Sequence, residues 1–308
     1  MQSRQGDISR INVYGQEKEP ATYRLAKMNL ALRGISHNLG EMADSSFAND
    51  LHRGLYFNYI MANPPFNLKT WYDSNLEHDS RWVDYATPPA SNANYAWILH
   101  MLHHLKPLSG VAGFLLSNGA LADMDGSAYI IRKELIENDK VEAIVILPRE
   151  LFITTDISVT LWILNQNKKG GSYHGRELRN RTGEILFLDL RTWRDNPLKG
   201  EQKKKIMLDS GQIARAASIY HRWQETGTDG ATYAEPELYR SVSRSEIKAQ
   251  DYSLVPSNYI AFIDHDLEID YEQEMQRIQG EMRELLIREK ASQKQLAAAF
   301  EGIGYGIE

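Results

Sequence analysis

The chain has 308 residues, enough for one large domain or two smaller ones, and 42% of them are hydrophobic. With 41 acidic and 35 basic residues its formal net charge is −6, which argues against a protein that coats nucleic acid by charge alone. It has no cysteine, which excludes disulfides and thiolate metal sites. No apolar run reaches about 18 residues and residues 1–10 have no apolar signal core, so we expect a soluble, cytoplasmic protein.

The hydrophobic pattern up to residue 190 predicts strands that alternate with helices. In chain order, it predicts a strand at 8–14, a helix at 20–33, a strand at 55–62, a loop at 67–93, a helix at 94–106, a strand at 111–116, a helix at 128–137, and strands at 141–147, 159–165 and 185–190. A polar loop of this length is usually functional or disordered. The alternation favours an α/β fold whose sheet is of the parallel type and is covered on both faces.

The character of the sequence changes after Arg194. In chain order, it then predicts a charged linker at 199–205, a helix at 210–225, an irregular stretch at 251–260 and a long charged helix at about 266–300. Apolar residues in 4-3-4-3 steps give that last helix a short heptad seam made of Tyr271, Met275, Ile278, Met282 and Leu285. We therefore predict an α/β domain at 1–195 and a mainly helical and linker region at 196–308.

The stretch YIMANPPFNLKTW, residues 59–71, places two prolines and an aromatic ring directly after a predicted strand. Pro64 and Pro65 stiffen the backbone at the carboxyl end of that strand, where open α/β sheets bind their ligands. The side-chain carbonyl of Asn63 and the backbone carbonyl of Pro64 can each accept one hydrogen of an amino group on a flat base. Phe66 offers a face on which a base that has left its duplex can stack. The motif thus predicts a site that acts by positioning, without a metal or a covalent intermediate.

A rigid turn with a buried phenylalanine is the alternative interpretation of this motif. An Asp, Asn or Ser followed by two prolines and an aromatic residue arises by chance roughly once in a hundred chains of this size. The motif alone is therefore suggestive, and the surrounding sequence is needed to choose between a base-binding site and a rigid turn.

The motif and its surroundings resemble the modification subunit of type I restriction-modification systems. The similar segments include GQEKEPATYRLAKMNLALRGI (15–35), ADSSFANDLH (43–52), YIMANPPFN (59–67), GVAGFLLSNGAL (110–121) and ISVTLWILNQNK (157–168), with 81–107 and 131–152 between them. This resemblance implies a Rossmann-like, S-adenosylmethionine-dependent methyltransferase fold with a helical tail. It also implies methylation of adenine amino groups in DNA.

The resemblance assigns roles to individual residues. Glu17 falls where the family has the acidic residue that binds the ribose hydroxyls of S-adenosylmethionine, and Asp44 falls near the family's adenine-side contact. Asn63 counts as both a catalytic and a cofactor-binding residue, and Pro64, Pro65 and Phe66 complete the catalytic motif. A solvated turn is the alternative for Glu17, and a turn or helix cap is the alternative for Asp44.

The predicted helix at 94–106 carries further polar and aromatic side chains. We expect its first residues to cap and pack the helix, although they can also line the pocket: Asn92, Asn94 and Trp97. Three histidines follow, His100, His103 and His104. They lack the glutamate of an HExxH motif, so we expect surface or packed histidines and no metal site.

The sequence departs from the family pattern before residue 17. Only Gly6 and Gly15 lie there, so no Gly-rich loop precedes the strand that ends at Glu17, and the first strand of the nucleotide half has no counterpart. We therefore expect the C-terminal portion of such a subunit, a partial catalytic domain that alone binds S-adenosylmethionine weakly or not at all and is inactive. A truncated product, a fragment and half of a split enzyme all remain open.

The resemblance also implies partners. In that family a separate specificity (S) subunit reads the DNA, and a restriction (R) subunit joins the full complex. The heptad seam at 271–285 is a candidate docking helix for the S subunit, and the net charge of −6 fits delegated DNA reading. Two other functions remain open: an amino-methyltransferase on protein glutamine or RNA, and a degenerate remnant that serves as a scaffold.

Overall fold

The computed structural model describes residues 10–152, 156–173, 175–194, 205–263 and 271–302. The chain forms two compact units, Met1–Ala261 and Phe262–Glu308. The first unit holds a seven-stranded sheet with helices, and the second holds one long helix.

The described residues form strands and α-helices that alternate along most of the first unit. The strands are β1 (Asn12–Tyr14), β2 (Ser36–Asn38), β3 (Tyr59–Ala62), β4 (Val111–Ser117), β5 (Val141–Ile146), β6 (Val159–Asn165), β7 (Gly171–Tyr173), β8 (Arg176–Leu178), β9 (Glu184–Asp189), β10 (Ala234–Glu235) and β11 (Tyr239–Ser243). The helices are α1 (Pro20–Leu32), α2 (Asn94–His104), α3 (Gly126–Glu137), α4 (Ser210–Gln224), α5 (Arg244–Ala249) and α6 (Tyr271–Gly302).

The main sheet is mixed. Its order is β10-β11-β9-β5-β6-β4-β3, and β1 and β2 form a separate parallel pair. β3 is parallel to β4 and β5 is parallel to β9, but β6 lies antiparallel between β4 and β5. No helix separates β5 from β6 in the described residues, so β6 returns beside β5 as an antiparallel neighbour. The α/β class is therefore confirmed, whereas the expected parallel-type sheet is wrong at β6 and β11.

Both faces of the sheet centre are buried. Alternate residues of β5 point to opposite faces, so Ile144 belongs to the same core cluster as Leu99 of α2, while Val145 belongs to a second cluster with Trp223 of α4. Each fully buried aliphatic side chain contributes about 1.5–3 kcal/mol relative to an exposed one. These two layers confirm the expected coverage and fix the carboxyl ends of the neighbouring strands.

Most of the predicted long elements are confirmed, although several boundaries move. The strand predicted at 8–14 comprises Asn12–Tyr14 in the described residues, and positions 8 and 9 lie outside them. The strand predicted at 55–62 is shortened to Tyr59–Ala62. Residues 67–93 form a long loop with two single-turn 3-10 helices, and Trp71 and Trp82 bury their rings beneath it.

The second unit is a 32-residue helix, α6, that has no buried residue. Its heptad residues are therefore exposed, and residues 266–270 of the predicted helix lie outside the described part, as do 199–204 of the predicted linker. Among the described helices, none combines the length and apolar character that crossing a membrane requires.

Candidate active site

Asn63 follows β3 at its carboxyl end. Its side chain is exposed and forms no hydrogen bond within the described residues. Pro64 is buried and Pro65 is exposed, so the prolines anchor the backbone on one side of the loop while Asn63 faces solvent. The side-chain amide of Asn63 thus keeps its acceptor and donor atoms available for a ligand.

The loop turns back directly after the prolines. Phe66 is half-buried and contacts no other aromatic ring in the described residues. Asn67 adopts a φ of 54°, in the left-handed region, which asparagine tolerates better than most residues. The turn therefore depends on whatever holds Asn67 in this conformation.

Two asparagines at the start of α2 hold this turn. Asn94 accepts a hydrogen bond from the Asn67 backbone N–H at 3.0 Å and donates its Nδ2 hydrogen to Asn67 Oδ1 at 2.9 Å. Asn92 Nδ2 donates to the same Oδ1 at 3.1 Å, and its Oδ1 accepts from the Asn94 N–H at 3.0 Å. Asn92 therefore satisfies an N–H of the first helical turn, while both side chains also support the Asn63 loop.

Glu17 and Asp44 are brought together by the backbone. Glu17 lies between β1 and α1, and its C=O accepts from the Asp44 N–H at 2.9 Å. Asp44 accepts from Asn49 Nδ2 at 2.8 Å and from the Ser45 N–H at 2.7 Å. Both bonds lower the pKa of the Asp44 carboxyl, and the bond from Asn49 has the larger effect. The carboxyl therefore stays ionised.

The Glu17 carboxylate is a partly exposed acceptor. Its Oε1 accepts from the Glu19 N–H at 2.9 Å, which leaves further lone pairs for vicinal hydroxyls. The two carboxylates thus fit the adenosine end of S-adenosylmethionine by the chemistry of their donor set. Among the described residues we find no glycine-rich backbone turn that fits its methionine end.

Two residues that the sequence did not single out position the Asp44 segment. Gln16 Nε2 donates to the carbonyls of Asp44 and Asn49, at 3.1 and 2.7 Å, and its Oε1 accepts from the Leu51 N–H at 3.1 Å. His52 Nε2 lies 2.7 Å from the Gly15 carbonyl. The only signal in the sequence was the place of Gln16 next to Glu17, because its partners lie about thirty residues further along the chain.

The Asp44 segment and the Asn63 loop meet at α2. Phe47 packs its ring 4.2 Å, between centroids, from that of Trp97, which lies one helical turn after Asn94. Trp97 is therefore a packing residue, as expected for the helix start, and its Nε1 is buried without a partner in the described residues. Arg81 fixes the other side of this segment by donating to the carbonyls of Ser46 and Phe47.

The three histidines of α2 pack beside this segment. His104 is buried, with Nδ1 2.9 Å from the Leu55 carbonyl and Nε2 3.0 Å from the Asp50 carboxylate. Both partners only accept hydrogen bonds, so both ring nitrogens carry hydrogen and His104 is an imidazolium. Burial is the largest influence and opposes this charge, but the hydrogen bonds to Asp50 and to the Leu55 carbonyl, together with the negative charge of Asp50, outweigh it and raise the pKa of His104. Burial lowers the pKa of His100 to about 3.

The strands beside the site have unpaired edges in the described residues. β1 pairs with β2 alone, and β3 pairs with β4 alone. The rings of Tyr14, at the end of β1, and Phe57, just before β3, lie 5.2 Å apart. Tyr59 and Met61 of β3 are 54% and 89% exposed, so the open edge also shows apolar surface.

Comparisons with known proteins find sequence relatives of this chain. Residues 1–267 match the family model described as N-6 DNA Methylase. The chain is 35% identical over 305 residues, 98% of its length, to the type I restriction enzyme HindI methylase subunit of Haemophilus influenzae. It is 31% identical to the MjaIX methylase subunit of Methanocaldococcus jannaschii, over 97% of this chain and 51% of that one.

A solved structure shows the same fold. The type I methyltransferase subunit from Streptococcus thermophilus superposes with a TM-score of 0.65 and 25% identity, over 81% of this chain and 48% of that one. The chain spans 64% of the length of the Haemophilus relative.

Proposed function

This chain belongs to the N-6 DNA methylase family, and we propose that it carries the target-base side of an enzyme that methylates adenine amino groups in DNA. The observation that carries the proposal is the placement of Asn63. Its side chain is exposed and unbonded within the described residues, at the carboxyl end of β3, where α/β sheets bind their ligands. The relatives' names, which describe type I methylase subunits, support the same reaction.

The chemistry that these residues perform is positioning. The lone pair of the adenine amino nitrogen is delocalised into the ring, which makes it a poor nucleophile. Asn63 Oδ1 and the Pro64 carbonyl accept the two amino hydrogens, and this orients the lone pair away from the ring plane. Phe66 stacks on the extruded base and holds it in register. S-adenosylmethionine supplies an activated methyl group when it is bound.

The adenosine end of the cofactor is assigned to the Glu17 and Asp44 segments. Glu17 offers free carboxylate lone pairs to the ribose hydroxyls, by the same logic as the acidic residue of dinucleotide folds. Asp44 lies one backbone hydrogen bond away, with its carboxylate kept ionised by Asn49. Asn63 is the third proposed contact, at the boundary between cofactor and base.

The cofactor site of this chain is incomplete in the proposal. The unpaired edges of β1 and β3, with Tyr14 and Phe57 in ring contact between them, suit one further strand inserted between the two. Such a strand can bring the backbone turn that holds the methionine end. We propose that the chain alone binds S-adenosylmethionine too weakly to saturate, or not at all, and transfers no methyl group until that strand is supplied.

The partners of the proposed enzyme are DNA, a specificity subunit and a restriction subunit, in the cytoplasm of the cell. The exposed apolar residues of α6 support its role as a docking helix for the specificity subunit. Tyr271, Met282 and Leu285 are 74%, 61% and 63% exposed, at heptad spacing. Gly280 lowers the intrinsic stability of the helix by roughly 1 kcal/mol, which suits a helix that a partner stabilises.

A methyl-transfer assay tests this function. The chain, combined with the N-terminal half of a relative and a specificity subunit, is incubated with tritiated S-adenosylmethionine and DNA, RNA or protein. We expect label at adenine N6 of DNA, and a loss of at least a hundredfold in the Asn63→Ala variant.

Each alternative function has its own outcome. Label in RNA or in protein glutamine, with none in DNA, would contradict DNA methylation and support an amino-methyltransferase that acts on that other substrate. A folded, reconstituted complex that labels nothing would favour the degenerate scaffold. Asn75→Ala, an exposed change in the long loop, serves as the control and should leave the rate unchanged.

A further inference from the structure

We infer that Asn94 is a positioning residue for the proposed target-base loop, which it holds through Asn67. This inference rests on the proposed function, because only that function makes the Asn63–Phe66 loop a catalytic element. Asn94 is 3% exposed, so its carboxamide is removed from water and both of its partners matter energetically.

The hydrogen bonds between Asn94 and Asn67 are reciprocal. Asn94 Oδ1 accepts the Asn67 N–H at 3.0 Å, and Asn94 Nδ2 donates to Asn67 Oδ1 at 2.9 Å. A reciprocal pair fixes both the position and the orientation of the bonded residue. Asn67 needs such support because its φ of 54° lies outside the usual range for a residue with a side chain.

The other support of the loop on this side also comes mainly from the start of α2, where Asn92 Nδ2 donates to Asn67 Oδ1 at 3.1 Å. The backbone bond from the Ala93 N–H to the Leu68 carbonyl, at 3.0 Å, also comes from the start of α2. Ser117 at the end of β4 donates to Asn67 Oδ1 at 3.4 Å, a weaker contact. The position of Phe66, one residue before Asn67, therefore depends mainly on the start of α2, with a weaker contribution from the end of β4.

The same helical turn also supports the cofactor side. Trp97 contacts Phe47, three residues after Asp44, with 4.2 Å between ring centroids. Asn94 and Trp97 are separated by three residues and so lie on one face of α2. The start of α2 therefore sets the spacing between the base loop and the Asp44 segment.

Helix formation does not explain the identity of Asn94. The N-cap residue is Ala93, which makes no side-chain cap, and the Asn94 N–H is already bonded to Asn92. Alanine at position 94 is a better helix former than asparagine. The Asn94→Ala variant should therefore fold and keep α2, while it removes both bonds to Asn67.

Amide exchange of the chain by itself gives the first test. In Asn94→Ala, we expect the Asn67 amide to exchange about tenfold faster or more, because it loses its acceptor, while core amides of β5 keep their protection. Asn75→Ala is the matched control and should change neither the exchange rate of the Asn67 amide nor the protection of the β5 amides. Unchanged exchange at Asn67 in a folded Asn94→Ala variant would overturn the inference.

Kinetics of the reconstituted enzyme give the second test. We expect kcat to fall about tenfold or more in Asn94→Ala and in Asn94→Asp, while the KM for S-adenosylmethionine stays close to wild type. Both variants lose stability because bonds of a buried side chain are lost, so cooperative urea unfolding first establishes that each one is folded. The Asp variant keeps the acceptor but turns the donor into a second acceptor that faces Asn67 Oδ1. An unchanged kcat would overturn the positioning role. A wild-type enzyme that methylates no adenine would contradict the proposed function instead, and amide exchange would still decide whether Asn94 holds the loop.

Discussion

The two sides of the main sheet differ in how completely they are built. At the centre, β5 is buried at all six residues and lies between two paired neighbours, β6 and β9. At the other side, β3 pairs along one edge in the described residues, and its exposed and half-buried residues alternate. The strand that leads into Asn63 is thus much less protected than the centre of the sheet.

Exposed apolar side chains show the same contrast. Nine large ones lie in residues 10–62: Tyr14, Leu25, Met28, Leu32, Met42, Leu55, Tyr56, Tyr59 and Met61. The described residues 63–261 form a much longer stretch and contain seven. Three apolar residues of α1, Leu25, Met28 and Leu32, belong to the first group and are exposed in the described part of the chain. We conclude that the sheet centre is a self-sufficient scaffold, whereas the site-bearing side is shaped to be covered.

The largest change in the free energy of unfolding is expected when a buried ion pair at the centre of the sheet is broken. Glu142 Oε1 accepts from Arg181 Nε and from Gln224 Nε2, each at 3.0 Å, and the Glu142 and Arg181 side chains are fully buried. In Arg181→Met, Glu142 is left as an uncompensated buried charge. We expect the free energy of unfolding to fall by about 3–5 kcal/mol in urea denaturation.

Arg215→Met is the matched control for that substitution. Arg215 pairs with Glu235 at 3.1 Å, but both side chains are about half exposed. We expect a change of less than about 1 kcal/mol, because water screens this pair. Equal losses in the two variants would contradict a scaffold that depends on its buried network.

A smaller change in the free energy of unfolding is expected when the pH is lowered, because the histidines of α2 titrate differently in the folded and unfolded chain. Burial lowers the pKa values of His100 and His103, so below pH 6.5 the unfolded chain binds protons that the folded chain does not. Their stabilising contribution is present above pH 6.5 and is lost as the pH falls. The raised pKa of His104 acts in the opposite direction, since its contribution is present below pH 6.5 and is lost as the pH rises through its folded value.

His100→Gln isolates one of these contributions. Between pH 6.5 and 5, we expect this variant to lose stability more slowly than the wild type, by roughly 1 kcal/mol per pH unit in urea denaturation. His100 is surrounded by His103, His104, Arg81 and Asp50, which remain in both proteins. Parallel pH curves for the two proteins would contradict a buried, neutral His100.

The smallest effect on the chain alone is expected at the open edge of β3. Met61 is 89% exposed, so Met61→Lys should change the free energy of unfolding by less than about 0.5 kcal/mol. The same change should prevent reconstitution with an N-terminal half, because the lysine would then lie against an added strand. Leu108→Lys, 79% exposed before β4, is the control and should reconstitute normally. Normal reconstitution of Met61→Lys would place the added segment elsewhere.

Periodicity predicted the long elements because they obey it locally. The strands β4, β5, β6 and β9 and the helices α1 to α4 follow from runs of apolar residues. The short strands β2, β7, β8, β10 and β11 were not predicted, since two to five residues carry little pattern and their pairing comes from distant partners. The antiparallel direction of β6 is likewise a property of the packed sheet.

The candidate site was predictable where a motif is contiguous. The motif can be recognised from four consecutive residues, Asn63, Pro64, Pro65 and Phe66. The roles of these residues remain proposals. The supporting contacts were not predictable, because Asn67 and Asn94 are 27 residues apart and Gln16 reaches Asn49 across 33. Such pairs become visible only when the fold brings them together.

Titration calorimetry of S-adenosylmethionine into the 308-residue chain tests the central claim most directly. Cooperative urea unfolding first establishes that the sample is folded. Because β1 pairs with β2 alone and β3 with β4 alone in the described residues, the proposal of an incomplete cofactor site predicts no saturable heat of binding from the folded chain. Saturable binding with one site per chain, abolished by Glu17→Ala, would contradict the claim and show that the described residues already form a complete cofactor site.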